Sequence, residues 1–279
     1  MRHIANELKK HVSFRETWVG YILGTFYLVS ALAAYWDTIQ YAPQRWLGMF
    51  QNINLYGSNF SAFLVIIGIA RIMCYERERN TDVLLFTSAY GKRKAFFSKI
   101  GFAAAYSAVV VVVLGTVSII CDGHTFGFKN ALGYIDSAPY FAVEEGMATM
   151  PNLVYNIFQY FLLYLGVLYL TYFVMLISQI TKRAVLAMGI SAVAYVIPVA
   201  YYILGRHTLS GIAEKICETV WQYSFAGFMM QESYCWGNLW ELSYDGWISN
   251  LWKPILFVCC VIVFEICLLW VLWSRKDRK

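Results

Sequence analysis

The sequence predicts an all-α polytopic membrane protein with six transmembrane helices and both termini cytoplasmic. Three observations lead there. First, 59% of the 279 residues are hydrophobic and 14% charged, with a mean hydropathy of +0.53. An ordinary soluble domain carries about 25% charged residues. Second, the apolar residues fall into runs long enough for spans of about 20 residues each, and a chain of this length holds six of them but not ten. Third, lysine and arginine alternate between the connections. Sixteen lie in the N-terminal arm, the second and fourth connections and the tail, against five in the first, third and fifth. Basic residues collect on the cytoplasmic side of a membrane protein, so the alternation sets the orientation. Ten of the seventeen acids fall in the outside connections.

Taken in order, residues 2–17 are polar and basic, with Ile4, Leu8 and Val12 spaced four apart. That spacing is a narrow apolar stripe on a helix, which suits an amphipathic helix at the membrane interface, with a solvated arm as the alternative. Span one is Trp18–Trp36, bounded by tryptophans as interface residues are. Its length covers roughly 28 Å, enough for the hydrocarbon core. No small-residue cleavage site follows it, so it reads as a span and not a leader. Span two is Asn59–Cys74, with Arg71 near its end, placed to snorkel. Span three, Ile100–Cys121, is rich in β-branched residues, but its length and apolarity decide for a helix. Span four is Val154–Ile180. Span five is Val185–Leu204 and contains Pro198, a residue that kinks helices. Span six is Ile255–Trp273. The whole chain, 1–279, reads as a single transmembrane domain.

The outside segment 205–253 is long and aromatic, from Trp221, Tyr223, Phe225 and Phe228 to Trp252. Polar residues interrupt it too often for a seventh span. Short interfacial or partly re-entrant helices are expected there, either as a lid over an outer mouth or as an aromatic belt. Cys217 and Cys235 share this segment, where a disulfide and two separate thiols are both open. The other five cysteines lie in or at the ends of spans, as small apolar residues do.

Several chemistries find no support in the residues. The net charge of +5 does not point to nucleic acid. Glu144-Glu145 resembles the start of one intramembrane protease motif, but Thr149 stands where that motif needs arginine, and the pair sits outside the spans. The histidines His3, His11, His124 and His207 form no i, i+4 zinc pair. There is no G-x-S-x-G elbow. Gly91-Lys92 is the nearest fragment of a phosphate-binding loop, but Phe86 and Arg93 occupy required Gly and Ser/Thr positions. No cofactor is expected. Glu265 is the one carboxylate well inside a span, where a charge costs about 2.5–3.5 kcal/mol on insertion scales. It is expected to face the bundle as a substrate or proton contact, or as a helix–helix hydrogen bond.

The remaining stretch, Tyr75–Lys99, is the long charged interval between two spans. Glu76, Glu78 and Asp82 make its start dense in charge, so the helix of span two is expected to run past the membrane surface. Asn80 or Thr81 suits the cap of a new short helix, with Asp82 in its first turn. Val83, Leu84, Leu85 and Phe86 form an apolar run too short to span, which needs a cover. Thr87 and Ser88 follow, Gly91 breaks the chain, and Lys92-Arg93-Lys94 mark re-entry into span three.

Glu76, Glu78, Thr81, Leu84, Leu85, Ser88, Lys92, Arg93, Phe96 and Lys99 together resemble the pattern found in permease subunits of ABC-2 type exporters (type-2 ABC exporters). The six-span layout, the basic N-terminal helix and the long last outer segment extend the likeness to nearly the whole chain. One departure is visible: Ala89-Tyr90-Gly91 stands where many members have proline in the turn. The resemblance implies a non-enzymatic permease in a bacterial cytoplasmic membrane, paired with a second permease subunit, identical or not. An ABC ATP-binding subunit on another chain would drive it. The helix around Thr81–Ser88 would be the coupling helix seated in that subunit, and the N-terminal helix would be the family's connecting helix. A membrane enzyme or accessory, and a non-transporting sensor or immunity subunit, are the alternatives.

Overall fold

A computed structural model describes residues 2–40, 53–78, 91–126, 132, 152–208, 210–230 and 244–274. Helix α1 (Arg2–Ser13) leads at Phe14 into α2 (Arg15–Gln40). A π-helical turn, Ile53–Gly57, opens into α3 (Ser58–Ala70), and a turn at 71–74 separates α3 from the single turn α4 (Tyr75–Glu78). Then come α5 (Gly91–Phe126), α6 (Asn152–Thr181) and α7 (Ala184–Thr208). Two short helices, α8 (Ile212–Tyr223) and α9 (Phe225–Met230), precede α10 (Tyr244–Ser274). The described residues are almost entirely helical and contain no strand.

Five of these helices, α2, α5, α6, α7 and α10, are long and apolar enough to cross a membrane. The second expected span, Asn59–Cys74, is instead a helix of 13 residues that ends at Ala70. That is roughly 20 Å of α-helix, short of a hydrocarbon core by itself, although the π-turn before it and α4 after it continue the path. The expected start of span six at Ile255 also moves, since α10 begins at Tyr244 and takes in residues assigned to the outside loop. Helix α7 runs unbroken through Pro198.

Polarity runs inside out. The outer surfaces carry Ile22, Phe26, Val112, Val185 and Phe264, all exposed, while Ser58, Ser61, Ser107, Thr171 and Ser178 are fully buried. Apolar solvent around the bundle makes this arrangement favourable, because interior polar groups then pair across helices. Ser107 Oγ lies 2.7 Å from Thr171 Oγ1, joining α5 to α6. The Tyr106 hydroxyl donates to the Leu64 carbonyl at 3.1 Å, joining α5 to α3. The Ser178 hydroxyl donates to the Ala70 carbonyl, and Cys74 Sγ sits 2.9 Å from Ser178 Oγ, so the end of α6 is fixed to the end of α3.

Helices α3 and α6 form the axis. Helix α3 packs against α2, α5, α6 and α7, and α6 packs against α3, α5, α7, α9 and α10. Helix α2 approaches α3 through two glycines four residues apart. A Cβ on Gly20 would come within 2.8 Å of Ile67, and one on Gly24 within 2.8 Å of Leu64. Small residues at this spacing let membrane helices close together where lipid gives no hydrophobic drive.

The aromatic segment 205–253 is in part core. Trp221, Phe225 and Phe228 are buried, and the Phe225 ring meets those of Tyr169, Phe173 and Tyr195 on α6 and α7. Ser224 caps α9 by accepting from the Gly227 amide at 3.0 Å, which turns the chain back against the bundle. These residues therefore pack into the bundle instead of lying exposed on its surface. The side chains of Cys217 and Cys235 lie outside the described residues, as does Glu144-Glu145.

Gly24→Val is expected to force α2 off α3 and cost about 1–3 kcal/mol, the range for overpacking. Thermal unfolding in detergent, beside Gly24→Ala, checks it. The alanine variant needs only a small shift of the flexible Leu64 end and is expected to lose much less.

Candidate functional site: a buried ion cluster flanking residues 79–90

The hydrogen bonds gather α1, residues 71–78, the start of α5, the α6–α7 junction and the end of α10 at one end of the bundle. This is the end from which residues 79–90 depart and return. Thr81, Asp82, Val83, Leu84, Leu85, Phe86, Thr87 and Ser88 lie outside the described residues. Both flanks are described.

The first flank rests on a four-membered ion cluster. Lys99, fully buried on α5, places Nζ 2.8 and 2.9 Å from the two carboxylate oxygens of Glu76 and 3.5 Å from Glu7. The turn at 71–74 leaves the Ile72 carbonyl open, and the Lys99 ammonium donates to it as well. Lys10 on α1 donates to Glu7 at 2.8 Å and to Glu76 at 2.9 Å. Two acids and two bases thus share one site, so the formal charge cancels. Burial alone pushes the Glu76 carboxyl up, but Lys99 and then Lys10 overcome it and leave it below its ordinary value. Burial likewise pushes Lys10 down, and Glu7 and Glu76 outweigh it, leaving Lys10 raised. Both groups are held in their charged forms.

Helix α1 faces the bundle with its polar side. Glu7, His11 and Phe14 are buried, while Leu8 and Val12 of the apolar stripe are about half exposed. His11 sits among the rings of Phe14, Tyr21, Phe102 and Tyr106, with Nε2 2.8 Å from the Tyr21 hydroxyl. Burial lowers it to about 4, against a smaller opposing effect of the Gly68 backbone. It is neutral at pH 7.

A second set of contacts adds α2 and α7. Arg71 pairs with Glu16 on α2 at 2.6 Å and with Glu78 at 3.2 Å, and stacks over the Phe14 ring. Glu78 in turn accepts from the Ala184 amide at 3.1 Å. An acid at a helix N-terminus satisfies an open amide and suits the dipole. The link before Ala184 is tight, with Lys182 at φ 60° closing α6.

The returning flank is tied to α10. Lys92 Nζ donates to the Ser274 carbonyl at 3.0 Å, and Trp273 Nε1 donates back to the Lys92 carbonyl at 3.2 Å. Phe96, 1% exposed, wedges against Trp270 and Trp273. Arg93 is exposed and lies over the Phe97 ring.

Of the expected residues, Glu76, Glu78, Lys92, Phe96 and Lys99 are thus brought together around one segment. Glu265 is elsewhere, buried in the α6–α10 seam. Sequence reasoning missed Glu7, Lys10 and His11 as partners. Their i, i+3 and i+4 spacing on α1 was visible, but nothing local marks that face as buried. The described residues hold no group of histidines, cysteines or acids placed to bind a metal ion. No protein-family model matches this chain, and no curated protein matches it.

Two outcomes follow. Lys99→Met leaves Lys10 as the one base facing two buried acids, Glu7 and Glu76, and is expected to cost about 3–5 kcal/mol in a denaturation series in mixed micelles. His11 binds its proton more readily unfolded than folded, so its share of stability is present above about pH 6.5. That share is lost as pH falls toward 4. His11→Gln is expected to flatten the fall in thermal midpoint over that window.

Proposed function

We propose that this chain is the membrane-spanning permease subunit of an ABC-2 type exporter, driven by a separate ATP-binding subunit. The observation that carries the reading is the way both flanks of residues 79–90 are fastened. The departing flank is held by ions to α1, α2 and α5 and by a helix cap to α7. The returning flank is held by hydrogen bonds and ring contacts to α10. A segment mounted in this way passes a push to several spans at once. An apolar run, Val83–Phe86, in that position suits a partner's groove.

In this reading residues 81–88 are the coupling helix and α1 is the interfacial connecting helix. Helix α3, with the turns on either side of it, is the second of six crossings, and both termini are cytoplasmic. The gathering of Lys10, Arg71, Lys92, Arg93, Lys99, Lys182 and Arg183 at one end supports that orientation. A second permease copy or homologue completes the path in a bacterial cytoplasmic membrane. Closure of the ATPase dimer shifts the permease between states only insofar as its contact with residues 81–88 differs between them.

The test is a mild-detergent pull-down of tagged protein from its native host, beside a variant carrying Leu84→Asp and Leu85→Asp. An ATP-binding subunit is expected with the native chain and not with the variant. Absence of any such subunit across several detergents, with the chain itself intact, overturns the proposal.

A further inference from the structure

Helix α10 is the most apolar span, with a hydropathy of 3.0 over Ile255–Ser274. Its buried stripe is Val258, Glu265, Leu269 and Trp273, and the helix packs chiefly on α6. Glu265 thus occupies a position that its neighbours fill with apolar side chains. It is 4% exposed. Its Oε2 has no hydrogen-bond partner among the described residues, and no ion pair there includes it.

Among the described residues, few titratable or charged groups face it. From α6, Tyr169 and Tyr172 lie within electrostatic range of the carboxyl. From α5, Lys92 and Lys99 are directed elsewhere, to the Ser274 carbonyl and to Glu76. From α8, Tyr223 meets Phe257, two turns away, and Glu214 and Lys215 are exposed. Among the described residues an ionised carboxylate buried here would have neither a cation nor a shell of donors, and that is the costly case. The neutral acid escapes most of the cost.

We infer that Glu265 is a proton-binding site in the α6–α10 seam, occupied when the two helices are packed as they are here. Release is an O–H ionisation: the electron pair stays on the carboxylate and the proton passes to water. The seam must then admit water, so losing the proton loosens it. Glu265 lies nine residues before Ser274, about 13 Å along the helix from the tie to Lys92. Loosening the seam therefore bears on the mounting of residues 79–90. The inference stands independently of any ATPase partner.

The full chain in lipid nanodiscs tests it by infrared spectroscopy at neutral and alkaline pH. Wild type is expected to show a protonated-carboxyl C=O stretch at neutral pH that vanishes on alkalinisation, and Glu265→Gln is expected to lack it. Wild type is also expected to lose thermal midpoint as pH rises through that titration, because the protonated form is the one the fold favours. Glu265→Gln, which keeps a polar seam with no proton to lose, is expected not to. If Glu265→Gln does not fold, Glu265→Asp keeps a carboxyl in altered surroundings and is expected to shift the band. A band absent from wild type, or unchanged in the variant that folds, overturns the inference and leaves Glu265 a structural hydrogen-bonding group.

Discussion

The pairing of Lys99 with Glu76 is the constraint on which this end of the molecule depends. A fully buried ammonium is tolerable only with its charge answered on the spot. Meeting that demand draws together the exit of α3, the start of α5 and, through Glu7 and Lys10, the helix α1. Once these are joined, Arg71 and Glu78 extend the contact to α2 and α7 without further burial of charge. The chain segment between Glu78 and Gly91 thus begins and ends on parts that are themselves fixed.

The rest of the bundle follows a different logic. Lipid-facing surfaces are apolar and the interior carries hydroxyls, so the helices are held by close approach and by short interhelical hydrogen bonds. Gly20 and Gly24 provide the first, against Leu64 and Ile67. Ser107 with Thr171, and Ser178 with Ala70, provide the second. Each such bond contributes modestly, about 0.6 kcal/mol on average in a membrane helix bundle. The ion cluster stands apart because losing one member strands the others.

Much of this was legible in the sequence. Long apolar runs, set off by charged and polar connections, located all five long helices, because length and apolarity are local properties. The limits of α3 were not legible, since the break at 71–74 is made by contacts from Ser178 and Lys99, far along the chain. The fate of Trp221, Phe225 and Phe228 was not legible either, because an aromatic residue reads the same in a belt and in a core. Glu76, Glu78 and Lys99 could be singled out as a charged group, but the partners Lys10 and Ala184 lie 66 residues before Glu76 and 106 after Glu78, beyond any local pattern. The α1 stripe of Leu8 and Val12 pointed correctly to a helix, yet the face that packs on the bundle is the polar one.

The most direct measurement on the central claim is a double-mutant cycle on Glu76→Gln and Lys99→Met, read as unfolding free energy in mixed micelles. If the two side chains support each other, the losses do not add, and the double variant is about as stable as the weaker single variant. Additive losses would mean that each residue is held by something other than its partner, and the buried cluster would not be what organises this end of the protein.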